Sequence, residues 1–214
     1  ILPKLDIKDT LNLAQVNKTY NAAVWSADGV RSWEAKIKPH LVKFGKKGWL
    51  TEPLHWAVLA GNVPAVRALL ESGEHVNKSD TFLGTQEGIL HIAALFGQVA
   101  VMKALIEAGA DVNKTADNNG TALIIAATHG RASCVVELIK AGADVNLASN
   151  DGDTPLVEAV KYGHEAIVGM LILAGADVGK AAQDRRALIA LAKSYKHNAH
   201  ERENIVKLLE QFGP

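Results

Sequence analysis

The residue types that most often do chemistry in proteins are few in this chain and poorly placed for it. His197, His200 and Glu201 could touch a metal ion, but their order is not His-Glu-x-x-His, and we expect the segment to be an exposed loop. Cys134, the single cysteine, has no histidine or aspartate placed by the pattern to activate it, so we expect it to pack inertly. The sequence also has no glycine-rich phosphate loop, nucleophile elbow or helix with paired carboxylates. We therefore predict no enzyme activity, no metal site and no cofactor.

The charge balance disfavours nucleic acid and membranes as partners. Lys and Arg together number 23, as do Asp and Glu, so no net field attracts either. The longest apolar runs, such as residues 170–174, are far shorter than the roughly 20 residues that cross a bilayer. A single cysteine fits a reducing, cytosol-like compartment. One local basic run is interpreted as a solvated face; it comprises Lys36, Lys38, Lys43, Lys46 and Lys47.

Four segments of the chain align with one another. Each begins with the pattern x-x-Leu-x-x-Ala, at residues 52–57, 88–93, 121–126 and 154–159. A mid-repeat glycine follows at a fixed distance in each segment, at Gly61, Gly97, Gly130 and Gly163. An apolar stretch and a second glycine come next, and three of the stretches close with versions of Gly-Ala-Asp-Val-Asn. The leucines at 90, 123 and 156 are 33 residues apart, which indicates a repeat protein.

Local chemistry predicts two short helices in each repeat, most clearly in the fourth. Thr154 is a good N-cap, and Pro155 falls at the first helical position, where its missing N–H does not matter. Gly163 and Gly175 can end the two helices by taking a left-handed backbone. In the second repeat Gly88 stands where the capping Thr is expected, so that helix start is less well specified. Neither helix can hide its apolar face alone, so the pairs must stack.

The period, the Thr-Pro-Leu-like starts and the Gly-Ala-Asp-Val-Asn closures resemble ankyrin repeats. The resemblance implies an all-α solenoid over residues 49–214. From Leu54 to Leu90 the step is three residues longer, which predicts a protruding hairpin tip around residues 80–87. His55 and His91 occupy the family's histidine position, where the imidazole usually bonds a turn of its own or the next repeat. The expected repeats are 49–78, 79–114, 115–147, 148–180 and a degenerate capping repeat, 181–214.

Residues 1–48 do not match the repeat, and the segment resembles the latter part of an F-box. The opening Leu-Pro-x-Glu of that motif is missing, and Thr10 stands where Leu is usual. Alternatively, these residues are only a helical cap that shields the first repeat. The positions that match the F-box pattern are Leu5, Asp9, Leu11, Leu13, Val16, Lys18 and Tyr20, with Trp33 as the downstream tryptophan.

An F-box followed by ankyrin repeats is the order found in effectors that intracellular bacteria such as Legionella secrete. This resemblance implies an adaptor in the host-cell cytosol. The F-box-like helices would dock on the Skp-type linker, the adaptor of an SCF (cullin-RING) ubiquitin ligase, while the repeats hold a substrate protein. The alternative is an ankyrin scaffold or inhibitor that recruits no ligase. The expected linker contact is an apolar face of Leu2, Leu5, Leu11, Leu13 and Val16.

In ankyrin stacks the hairpin tips and the ends of the first helices line a concave surface, so register predicts which residues contact the partner. Phe96 and Tyr162 are aromatic where the pattern requires none, and we expect them to be anchors. Alternatively, Phe96 tucks under the loop at 80–87. From the helix ends the expected residues are Leu59, Ala60, Leu95, Phe96, Thr128, His129, Lys161 and Tyr162. From the tips they are Thr81, Phe82, Asp117, Asn118, Asn150, Asp151 and Asp153.

Overall fold

A computed structural model describes residues 53–77, 79–82, 85–179, 185–194 and 199–211 of the 214-residue chain. These residues form successive pairs of helices joined by short turns. The first helices of the pairs are α1 (Pro53–Leu59), α3 (Ile89–Phe96), α5 (Ala122–Thr128), α7 (Pro155–Lys161) and α9 (Arg185–Ser194). The second helices are α2 (Val63–Glu71), α4 (Val99–Glu107), α6 (Ala132–Lys140), α8 (Glu165–Leu173) and α10 (Ala199–Gln211).

The helices begin and end where the local chemistry predicts. The Thr154 hydroxyl accepts a hydrogen bond from the Val157 N–H at 3.3 Å, and Thr121 caps α5 in the same way. Gly88 precedes α3 without a side-chain cap, as its lack of a side chain requires. The mid-repeat glycines follow the first helices with left-handed φ values of 67° to 74°. The predicted capping and termination are therefore confirmed.

The pairs stack so that first helices pack on first helices and second helices on second helices. The core between the two layers is continuous and consists mostly of Ala, Val, Leu and Ile. The stack continues through the C-terminal pair, because α9 packs against α7 and α10 against α8. The architecture is an all-α solenoid, as the resemblance implied.

A β-hairpin occupies the place where the second repeat is three residues longer than the others. Strands β1 (Ser79–Phe82) and β2 (Thr85–Gly88) pair antiparallel, with Ser79 opposite Gly88 and Phe82 opposite Thr85. Strand β2 runs directly into α3 and packs against it. The extra residues are therefore absorbed by a regular hairpin between α2 and α3.

Asparagines at the close of the repeats fix the spacing between neighbouring repeats. In each case an Asn side-chain oxygen accepts a hydrogen bond of 2.8 Å from the backbone N–H of an Asp in the next repeat. Because the three bonds are equivalent, they hold the successive loops in one register. The pairs are Asn77 with Asp111, Asn113 with Asp144 and Asn146 with Asp177.

Candidate functional site

The tips before α5 and α7, together with the ends of those helices, form a surface that we call the first-helix face. The tip residues Asp117, Asn118, Asn150 and Asp151 are exposed. Tyr162, which follows α7, is 48% exposed. The face therefore combines an exposed aromatic ring with polar tips. Its partly buried members are Thr128, His129, Asp153 and Lys161.

Hydrogen bonds tie the two tips to each other through Asn150. The Asn150 backbone N–H donates to the Asn118 carbonyl at 2.8 Å, and its side-chain oxygen accepts from the Asn119 amide at 2.7 Å. A longer bond of 3.4 Å joins the Asn150 amide to the Asp117 carbonyl. Asn119 is not among the positions that the sequence register predicts, and it has a left-handed φ of 57° that suits an asparagine. The tips are thus ordered before any partner arrives, which reduces the entropy cost of binding.

Lys161 is held in a network of carboxylates on the same face. Its ammonium group contacts the Asp153 carboxylate and donates to Glu158 Oε1 at 3.1 Å. The Thr128 hydroxyl donates to the other Glu158 oxygen at 2.9 Å, which joins α5 to α7. Partial burial alone would lower the pKa of Lys161, but the bonds and charges of both carboxylates outweigh burial and raise that pKa above its ordinary value. The lysine charge is therefore largely compensated within the protein.

At the ends of α1 and α3, the side chains are less exposed than the sequence register predicted. The prediction for Leu59 is wrong, because its side chain belongs to the core and is only 8% exposed. Leu95 and Phe96 are partly buried and pack against the same core. Thr81 and Phe82 contribute backbone to β1, and their side chains lie outside the described residues.

The residues that directly follow Gly97, Gly130 and Gly163 have side chains that form hydrogen bonds to the backbone of the preceding repeat. These bonds make a second regular series, in addition to that of the asparagines. Each reaches the carbonyl of the residue two places before the preceding mid-repeat glycine. The backbone at the end of these first helices is therefore engaged within the stack. The bonds run from Gln98 to Leu59 at 3.0 Å, from Arg131 to Leu95 at 3.2 Å and between His164 and Thr128 at 3.1 Å.

The expected linker-binding residues belong to the F-box-like segment before the repeats. Leu2, Leu5, Leu11, Leu13 and Val16 lie outside the described residues. Their role therefore stays a prediction from sequence.

The expectation of a loop at His200 and Glu201 is wrong, because both residues lie in helix α10, while His197 lies outside the described residues. His91 is buried, and its Nε2 lies 3.1 Å from the Gly120 carbonyl in the turn of the next repeat, as the family position implied. Cys134 is buried in α6, and burial raises the pKa of its thiol, which disfavours the reactive thiolate. Among the residues that the structure describes, no group of three His, Cys, Asp or Glu side chains could hold a metal ion.

Burial makes the free energy of unfolding sensitive to pH through His91. Desolvation is the largest influence on the His91 imidazole and lowers its pKa below 6.5, although bonds to the Gly120, Gly88 and Lys114 backbone oppose it. The unfolded chain therefore binds a proton more readily, so stability is full above about pH 6.5 and declines below that. Urea denaturation at about pH 7.5 and about pH 5 should show a smaller pH effect for His91→Gln than for wild type. Equal pH effects would contradict the assignment.

No helix within the described ranges is long and apolar enough to span a membrane. Comparison with protein families gives two matches, both to ankyrin repeats. A model of many ankyrin copies matches residues 54–106, and a model of three copies matches residues 90–182. A comparison with curated proteins gave no match. With the stacked helix pairs, these matches identify residues 54–182 as ankyrin repeats, and the chain belongs to the ankyrin-repeat family.

Proposed function

We propose that the protein is a non-catalytic adaptor whose repeats hold a partner protein against the first-helix face. Ankyrin repeats are protein-interaction modules, and the observation that carries the choice of face is Tyr162. Tyr162 is 48% exposed at the end of α7, on the face whose two tips are already ordered. Exposed aromatic side chains bury much area at a small entropy cost, which is why they are enriched among binding hot spots.

The second helices present a surface less suited to the centre of an interface. Ion pairs link these helices on their outer side, with Arg67 and Glu107 at 2.7 Å and Lys103 and Glu137 at 3.6 Å. Exposed paired charges are depleted from interface centres because they must be desolvated. Leu173, at the end of α8, is 80% exposed but is a single apolar side chain, which is ordinary on a protein surface.

Recruitment of a ubiquitin ligase by residues 1–48 is the second part of the proposal and rests on the F-box-like sequence. In this role the apolar positions of the segment bind a Skp-type linker while the repeats present the substrate in the cytosol. The alternative is an ankyrin scaffold or inhibitor, in which the same residues only cap the stack. Binding to the purified linker separates the two.

Replacing Tyr162 by Ala is expected to weaken partner binding by about 1 kcal/mol or more, which is about fivefold or more in Kd. The partner is first captured from host-cell lysate and purified, and Kd is then measured by calorimetry. Leu173→Ala is the matched control, because it removes an exposed apolar side chain from the other layer. Wild-type affinity for Tyr162→Ala would contradict the proposal. Phe96→Ala is a poorer probe because partial burial of the ring couples binding to stability.

A further inference from the structure

An open cleft of about 590 Å³ lies at the turn end of the helices, away from the tips. We call it the C-terminal cleft. The turn between α7 and α8 forms one wall, and the start of α10 forms another. The side chains that matter for its chemistry are Tyr162, His164, Glu165 and Glu201.

Helix α10 contributes to the cleft wall through its additional length. Helix α10 has 13 residues, whereas α2, α4, α6 and α8 have nine each. The buried residues of α10, Ile205 and Leu209, are spaced like Cys134 and Leu138 of α6. Matched on these residues, α10 begins about one turn early, and the additional turn carries Glu201 to the cleft wall.

A hydrogen bond anchors this wall to the neighbouring helix. The Asn204 amide of α10 donates to Glu165 Oε2 of α8 at 3.1 Å. The second Glu165 oxygen lies outside this bond. Glu165 also stands in the first turn of α8, where its negative charge offsets the partial positive charge of the helix N-terminus.

The lining combines aromatic rings with negative charge. The Tyr162 and His164 rings are stacked, with centroids 6.4 Å apart and planes at 18°. Glu165 and Glu201 are both lining residues, and the lining contains no lysine or arginine. His200 and Arg202, the neighbours of Glu201 on α10, are not part of it. Two carboxylates disfavour an anion and attract a cation.

An arginine suits this chemistry better than other cationic side chains. Its planar guanidinium stacks on an aromatic face and donates paired hydrogen bonds to carboxylates. We propose that the C-terminal cleft binds an arginine side chain of the partner protein, with the guanidinium against Tyr162 and its N–H groups directed to Glu165 and Glu201. The inference rests on the proposed function, since it gives the chemistry of one contact that the partner makes.

The test uses a probe that requires no partner. Backbone amide NMR signals are followed while N-acetyl-arginine amide is added to the full chain. Shifts are expected at Tyr162, Gly163 and Ala166, and the neutral isostere N-acetyl-citrulline amide should leave those signals unchanged. Glu201→Gln should weaken binding of the arginine probe by about threefold or more in Kd. Glu203→Gln is the matched control, because Glu203 lies on the same helix but pairs with Lys207 at 3.1 Å.

Three outcomes would overturn the inference: no shifts at the cleft, equal shifts from the citrulline probe, or unchanged affinity in Glu201→Gln. None of them bears on whether the repeats bind a partner, which calorimetry with Tyr162→Ala decides separately. Conversely, a partner that binds Tyr162→Ala with wild-type affinity would contradict the proposed function, even if the cleft binds the arginine probe.

Discussion

Leu138→Ala is expected to lower the free energy of unfolding by about 3 kcal/mol, within the usual range for a large-to-small change in a core. Leu138 lies in α6 at the middle of the stack and is 0% exposed. Its removal leaves a cavity between α6 and the helices packed on it, and neighbouring repeats can close only part of that space. Urea denaturation followed by circular dichroism measures the change.

Ser133→Ala is the matched control, because Ser133 is exposed on the same helix and its change should stay within about 0.5 kcal/mol. Since each repeat is stabilised mainly by its neighbours, hydrogen exchange should show the loss of protection concentrated in α5 to α8. A loss below about 1 kcal/mol, or one spread evenly over all the repeats, would contradict a nearest-neighbour stack with α6 at its centre.

Replacing Leu11 and Leu13 together by Asp is expected to abolish co-elution with purified Skp-type linker, while the repeats stay folded. The proposed contact is an apolar helix face in a groove, and two buried, unpaired carboxylates would each cost several kcal/mol. Size-exclusion chromatography of the mixed proteins reads out binding, and circular dichroism reads out folding.

The double change Asn12→Asp with Asn17→Asp controls for added negative charge, because it alters the same segment outside the five expected contact positions. Co-elution that survives the change at Leu11 and Leu13 would show that the segment does not bind as an F-box. If the wild-type chain itself fails to co-elute, the scaffold or inhibitor alternative replaces ligase recruitment.

Features governed by neighbouring residues along the chain could be predicted from the sequence. Thr154 caps its helix, and Gly163 takes a left-handed φ of 74°. Each follows from a local motif repeated at a fixed period, so a single register is enough to place it. The all-α stack follows in turn, because two short amphipathic helices have nowhere else to bury their apolar faces.

Features that depend on packing between repeats could not be predicted, or were predicted wrongly. Leu59 and Lys161 occupy equivalent positions, two residues before a mid-repeat glycine, so the sequence predicts the same exposure for both. The aliphatic side chain of Leu59 nevertheless belongs to the core. The contacts of Asn119 and Glu158 depend on residues about 30 positions away, which no local pattern specifies. Glu201 reaches the cleft because α10 begins a turn early, in a part of the chain where the repeat glycines no longer mark the register.

Hydroxyl-radical footprinting of the protein with and without its purified partner tests most directly whether the partner lies on the first-helix face. The two exposed large apolar side chains among the described residues lie on different layers, Tyr162 after α7 and Leu173 at the end of α8. Both should oxidise readily in the free protein, so each serves as the reference for the other. We predict that the partner protects Tyr162 severalfold and leaves Leu173 unchanged. Protection of Leu173 with Tyr162 still oxidised would place the partner on the second helices and contradict the account.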